Sequence, residues 1–151
     1  MINHEEKAHE LFKQGYNCAQ SVFAAFCGVT GIDFETAIKL TSGFGAGMGG
    51  MRDTCGAVTG MFMVAGMLYG YTDSQATTEK AAHYATIRKL AEQFKEENQS
   101  LMCRDLLAFC KKAQQPMERT DAYYAERPCT RLVMDAARLL DNLIAERGLN
   151  K

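Results

Sequence analysis

Apolar residues recur three and four positions apart along most of the chain, and polar or glycine-rich turns divide this pattern into short segments. Such a spacing places apolar side chains on one face of an α-helix. No run of alternating apolar and polar β-branched residues is long enough to predict a strand. The pattern predicts an all-α fold, with helices over about 3–14, 18 to 28–31, 34–41, 54–69, 73–98, 101–113 and 128–147, and a loop over 114–127.

The segment at about 54–69 is apolar on all sides, which predicts a buried central helix. With 151 residues the chain fits one domain, so residues 1–151 are predicted to form a single helical bundle around this helix. About 16 residues with glycine among them are too few to predict a membrane span. Two pairs of glycines, 56 with 60 and 66 with 70, stand four apart on one face, which favours close approach of a neighbouring helix.

The stretch from Gly43 to Gly50 reads GFGAGMGG, with five glycines in eight residues. Glycine costs a helix or strand roughly 1 kcal/mol per residue, so the stretch predicts a loop. Because a helix N-terminus at Asp53 to Cys55 follows, the loop resembles a nest that binds an anion. The nucleotide-binding spacing is absent and Asp53 would repel phosphate, whereas Arg52 is a favourable cation. The glycines proposed to approach a cofactor or ligand are Gly45, Gly47, Gly49, Gly50 and Gly56.

Charge and the N-terminal segment restrict the classes of partner. A net charge of −1 and a pI near 6.3 give no basic surface, so neither nucleic acid nor an anionic membrane is an expected partner. The start MINHEEKAHE is acidic and polar rather than basic and then apolar, so a cytoplasmic location is expected. In that compartment, six cysteines indicate metal binding, redox chemistry or plain packing rather than structural disulfides.

The spacing of the cysteines excludes several common motifs. There is no C-x-x-C pair and no C-x-x-C-H, so a thioredoxin-type motif, the usual zinc-finger spacings and covalent haem are all excluded. Two cysteines, Cys27 and Cys110, lie late in predicted helices and are expected to be inert. The other four fall in the first turn of a predicted helix: Cys18, Cys55, Cys103 and Cys129.

The first turn of a helix favours a thiolate, because unpaired N–H groups and the positive end of the helix dipole lie there. In that position the pKa of a cysteine falls from ~8.5 into the range ~3.5–7.5. Four such thiols, gathered by the tertiary fold, make the ligand set of zinc and iron–sulfur sites. The alternative interpretation is that all six cysteines are small buried hydrophobic residues.

Four segments together resemble a known family: YNCAQSVFAAF, SGFGAGMGGMRDTCGAVTGMFMVAGMLYG, MCRDLL and PCTRLVMDAARLL. Their order and content are similar to the C_GCAxxG_C_C family, whose name records its cysteine pattern, from about Glu6 to Leu140. The resemblance places the family's cysteines on the same four positions and gives no counterpart to Cys27 or Cys110. It implies an all-helical prokaryotic domain with a redox role. A similar domain occurs in split-Soret cytochromes with haem and an iron–sulfur centre, but the haem motif is absent from this chain.

Three hypotheses for the function follow. In the first, the four cysteines ligate a metal or an iron–sulfur centre, with [2Fe–2S] favoured and zinc as the non-redox version, and an unidentified redox partner protein exchanges electrons. In the second, two or four of them cycle between dithiol and disulfide, and Cys55 is the expected attacking thiol. In the third, the Gly43–Gly50 loop binds an anion or small ligand. No spacing identifies an enzyme. Surfaces rich in Met and Gly could join two copies, so a homodimer is a further hypothesis.

Overall fold

Helices joined by short loops make up the computed structural model, which describes residues 3–109 and 118–149. Within these residues there is no strand, and the only bridge between extended segments pairs Thr54 with Met102. The all-α fold predicted from the sequence is therefore confirmed. The helices are α1 (His4–Lys13), α2 (Cys18–Ala25), α3 (Cys27–Thr30), α4 (Phe34–Thr41), α5 (Gly45–Met48), α6 (Gly56–Tyr69), α7 (Thr77–Asn98), α8 (Cys103–Ala108), α9 (Asp121–Glu126) and α10 (Cys129–Arg147).

The apolar helix α6 lies at the centre, in contact with α2, α7 and α10. Its closest approach is to α2, where a Cβ on Gly60 would lie 2.9 Å from the carbonyl oxygen of Ala19. Only glycine permits that distance, so the predicted close packing is confirmed for Gly56 and Gly60. The prediction of close packing is wrong for Gly66, because a Cβ added there would meet no atom within 4 Å. No helix in the described part of the chain is both long enough and apolar enough to cross a membrane.

Side-chain caps explain why α1, α2 and α4 begin where the sequence predicts. The Asn17 side chain accepts the N–H of Gln20, while the Gln20 side chain accepts the N–H of Asn17. Asp33 accepts from the N–H of Thr36 in the same way. These bonds satisfy N–H groups that have no partner inside the helix. Each depends only on residues three apart, which is why the sequence alone locates these starts.

Some predicted helix boundaries differ from the structure, and the one at 101 differs because a contact outside the helix competes. The helix predicted from 101 begins instead at Cys103, since the Cys55 N–H binds the Leu101 carbonyl 2.8 Å away. The Ser100 hydroxyl accepts the Met102 N–H and so holds a turn before the helix. The predicted end of this helix, at 113, lies outside the described residues.

The loop predicted over 114–127 contains a short helix, α9. The side chain of Thr120 caps it by accepting the N–H of Tyr123.

His4, the first residue of α1, is buried against α10. The residue is 8% exposed, and its ring stacks on Phe26 with ring centroids 4.2 Å apart. Its Nδ1 lies 2.6 Å from Oδ1 of Asp141, near the C-terminal end of the chain. The sequence could not show this contact because 137 positions separate the two partners.

Candidate functional site

The four cysteines singled out by sequence all lie at helix starts and all line one cavity of about 330 Å³. Cys18, Cys103 and Cys129 are the first residues of α2, α8 and α10. Cys55 is the residue immediately before α6. The fold therefore gathers in one place four thiols that are widely separated in sequence.

Two of these thiols, Cys18 and Cys129, interact directly. The hydrogen bond that Cys18 donates to the sulfur of Cys129 lowers the pKa of Cys129 to about 7, against the opposing effect of burial. The positive charges of Arg127 and Arg52 contribute to the same lowering. The bond, together with burial, holds the pKa of Cys18 well above its usual value. Near neutral pH the arrangement therefore favours ionisation of Cys129 over ionisation of Cys18.

Cys55 lines the cavity and is buried, with 4% of the residue exposed. Burial away from water raises the pKa of its thiol to about 12, although the amides of Ala57 and Val58 act in the opposite direction. The structure therefore buries the thiol that the sequence analysis expected to attack. A buried, protonated thiol is a poor nucleophile, and Cys129 takes its place as the candidate.

Cys103 faces the cavity beside an arginine. A guanidinium nitrogen of Arg52, Nη1, lies 3.7 Å from the Cys103 sulfur and donates to it. Two backbone bonds hold this corner together: the Cys103 N–H binds the Asp53 carbonyl at 2.7 Å, and the Arg104 N–H binds the Arg52 carbonyl at 3.2 Å. Arg104 also pairs with Asp53 at 2.6 Å, so the acidic side chain beside the site has a partner of its own.

The glycine-rich stretch forms a left-handed turn where a loop was predicted. Successive residues from Ala46 to Gly50 have positive φ values, from 51° at Ala46 to 82° at Gly50. Glycine adopts this conformation without strain, but Ala46 and Met48 do not. Gly47 lines the cavity, and a Cβ there would lie 2.6 Å from both the Arg52 backbone and the Cys103 side chain. The stretch is rich in glycine because the chain must turn left-handed against the wall of the site.

The five glycines expected to approach a ligand divide into two groups. Gly47 and Gly56 line the cavity. The other three do not line it: Gly45 lies against the Asn17 side chain, a Cβ on Gly49 would face the Gly43 carbonyl, and Gly50 faces open space. Only the first group is placed to contact a ligand in this cavity.

The cavity has a wall of arginine and aromatic side chains that the sequence analysis missed. Arg119 donates to the carbonyl oxygens of Phe12 and Tyr16, at 2.6 and 3.0 Å, and lies over the Phe12 ring at 4.5 Å. The Arg127 guanidinium lies 4.9 Å from the centre of the Tyr123 ring. Arginines and tyrosines gathered in the stretch directly before Cys129 were the available signal, but their neighbours across the cavity belong to α1.

The two remaining cysteines differ from the four. Cys27 is half-buried and does not line the cavity, and burial raises the pKa of its thiol. Cys110 lies outside the described residues. The structure thus separates Cys27 from the four cysteines that line the cavity.

A single metal ion needs several donor side chains that converge within bonding distance. Within residues 3–109 and 118–149, no group of three or more His, Cys, Asp or Glu is placed to hold a metal ion. The four thiols surround a cavity instead of converging on a point.

A family model describes the same pattern in this chain. The model for C_GCAxxG_C_C, described as "Putative redox-active protein (C_GCAxxG_C_C)", matches residues 16–143. The chain belongs to the C_GCAxxG_C_C family. All four cysteines of the cavity fall within the matched residues, as does the glycine-rich turn. No curated protein and no solved structure matches this C_GCAxxG_C_C chain.

Proposed function

We propose that the protein is a thiol–disulfide redox protein in which Cys129 attacks and Cys18 resolves. The observation that carries the proposal is the placement of Cys18 and Cys129 at two helix starts in one cavity, where they shift each other's pKa in opposite directions. Dithiol redox chemistry needs a thiolate near neutral pH with a second thiol in reach. These two thiols meet both requirements, although their positions lie far apart in the sequence.

The reaction is an exchange in which atoms and electrons balance. The Cys129 thiolate forms a bond to one sulfur of a substrate disulfide, and the bond between the two substrate sulfurs breaks. One half of the substrate leaves as a thiolate and takes up the proton that Cys18 releases. The Cys18 sulfur then bonds to Cys129 and displaces the other half. The second half leaves as a thiolate and takes its proton from solvent. The substrate thus gains two electrons from the two protein sulfurs, and the protein gains one disulfide.

Three features of the chain favour the attacking thiolate at Cys129. It is the first residue of α10, where the helix dipole stabilises an anion. Arg127 and Arg52 act on it with positive charge, and Cys18 donates a hydrogen bond to it. No positive charge of the described residues is among the causes that shift the pKa of Cys55. Burial is the largest cause, and it raises that pKa.

Disulfide mapping by mass spectrometry tests the proposal. The fully reduced protein is treated with a small disulfide, quenched in acid and digested. We expect a disulfide between Cys18 and Cys129 in the wild type, and a trapped mixed disulfide on Cys129 in Cys18→Ser. Cys27→Ser serves as the control and should still form the disulfide. Modification of Cys55 or Cys27 ahead of Cys129 would contradict the proposal.

An iron–sulfur centre is the second candidate, and the observation that favours it is the set of donors. The cavity wall offers four thiols at helix starts and, in the described part of the chain, no carboxylate or imidazole. Cys18, Cys55, Cys103 and Cys129 would hold such a centre, [2Fe–2S] being the form first expected, and it would supply one-electron transfer to a redox partner protein. Zinc has less support, because a single ion needs ligands that already converge within bonding distance.

Iron and acid-labile sulfide, measured on protein purified without oxygen and without a metal-affinity column, separate the two candidates. Stoichiometric iron and sulfide that disappear in Cys55→Ser but remain in Cys27→Ser would establish the second candidate. Metal-free protein that forms the Cys18–Cys129 disulfide would establish the first.

A further inference from the structure

We infer that the substrate of this site is a small disulfide that carries carboxylate groups. The inference rests on the proposed thiol–disulfide function and adds the substrate class. Its basis is the juxtaposition of three arginines with the Cys18–Cys129 pair in one cavity.

The cavity wall is strongly positive although the whole chain is slightly negative. Three arginines line it, at positions 52, 119 and 127, and no Asp or Glu among the described residues does so. The net charge of the chain is −1. Arg52 and Arg119 form no salt bridge with an Asp or Glu of the described residues, so these two side chains favour an anion. Apolar walls keep water away from a cavity and thereby strengthen the attraction.

Arg52 is the arginine best placed to meet an incoming anion. Its side chain is exposed, and its guanidinium already lies 3.7 Å from the Cys103 sulfur at the cavity wall. A guanidinium binds a carboxylate through two parallel hydrogen bonds, which fixes the orientation as well as the position of the bound group. Arg119 adds a second positive charge, and two backbone carbonyls hold its guanidinium in place.

The size and the apolar part of the cavity limit the substrate to a small molecule. A volume of about 330 Å³ is at the lower end of the range for ligand pockets. The apolar part of the lining comes mainly from Leu106, Leu107, Leu132, Phe12 and Tyr123. A disulfide within a folded protein would not reach Cys129 through such a site, whereas one half of a small disulfide would fit.

Two disulfides that differ in charge test this inference. Dithiobis(nitrobenzoate) carries two carboxylates, and dithiodipyridine is neutral at pH 7; both release a coloured thiol. The rate constant for each is measured on reduced protein with Cys27→Ser and Cys110→Ser, so that only the cavity thiols react. The quantity compared is the ratio of the two rate constants, because a change in thiolate fraction affects both probes and cancels.

Arg52→Gln should lower that ratio about fivefold or more, and raising the ionic strength should lower it in the wild type. Arg52→Lys should keep most of the preference. Arg88→Gln removes the same charge from an exposed position on α7 outside the cavity and should leave the ratio unchanged.

Equal ratios in Arg52→Gln and Arg88→Gln would overturn the inference while leaving the proposed function intact, provided that the neutral probe still forms the Cys18–Cys129 disulfide. Failure of both probes to form that disulfide would overturn the proposed function itself. The neutral probe therefore distinguishes the two failures.

Discussion

Cys18 and Cys129 stand at the first positions of two helices from opposite ends of the chain, and the thiol of one donates a hydrogen bond to the sulfur of the other. The bond acts in opposite directions on the two groups, because it stabilises the thiolate that accepts it and the protonated thiol that donates it. Reactivity in this pair therefore belongs to Cys129.

The first prediction concerns the pH dependence of Cys129. Alkylation by iodoacetamide, followed at the Cys129 peptide by mass spectrometry, should rise with pH and reach half its maximum near pH 7, because the pKa of that thiol is lowered to about 7. Cys18→Ala removes the hydrogen bond and should move the midpoint to higher pH. Cys18→Ser keeps a donor and should move it less. A midpoint that is the same in all three proteins would show that the hydrogen bond has no effect on Cys129.

The second prediction concerns the contact between α6 and α2. Gly60→Ala places a Cβ 2.9 Å from the Ala19 carbonyl and should lower the free energy of unfolding by roughly 1–3 kcal/mol. Gly66→Ala is the matched control on the same helix, where nothing lies within 4 Å, and it should raise that free energy by about 0.5–1 kcal/mol. Urea denaturation measures both changes. Changes of the same sign would contradict the packing described.

The third prediction concerns the left-handed turn. Ala46 has a φ of 51° and a ψ of 42°, a conformation that costs alanine roughly 1–2 kcal/mol. Ala46→Gly should therefore raise the free energy of unfolding by about 0.5–1 kcal/mol after the greater entropy of unfolded glycine is included. Ala82→Gly, in an exposed part of α7, should lower it by about 1 kcal/mol. Equal destabilisation by Ala46→Gly and Ala82→Gly would contradict a left-handed conformation at Ala46.

The fourth prediction concerns the buried His4. Asp141→Ala removes the acceptor 2.6 Å from Nδ1 and should lower the free energy of unfolding by about 1–3 kcal/mol, because a buried donor loses its partner. Asp141→Asn retains a side-chain oxygen that can accept the bond and should cost less. Thermal or urea unfolding of the two variants gives the comparison, and indistinguishable stabilities would rule out a contribution from this bond.

The sequence was sufficient for features that depend on near neighbours. The starts of α2 and α4 follow from Asn17 with Gln20 and from Asp33 with Thr36, all within one helical turn. The same reasoning placed four cysteines at helix starts, and the family resemblance led to the same four. Local signals also predicted the buried central helix, since its apolar residues extend around the whole circumference.

The differences between those cysteines could not be predicted, because they depend on which residues pack around each one. Cys55 and Cys129 both precede or begin a helix, but one is buried in the core and the other lies near Arg127. The positions of Arg119 and His4 likewise depend on partners more than 100 residues away. Helix periodicity carries no information about such contacts.

The four thiols lie at the starts of α2, α6, α8 and α10, so no fragment that ends before residue 129 contains all of them. A ribosome makes the chain from the N-terminus, and three of these cysteines emerge well before Cys129 does. Until α10 has docked, Cys18 has no partner for its hydrogen bond, and the nascent chain lacks the attacking thiolate. The chemistry proposed for this protein thus begins only when its last long helix is in place, which makes thiol reactivity at Cys129 a direct report of complete folding.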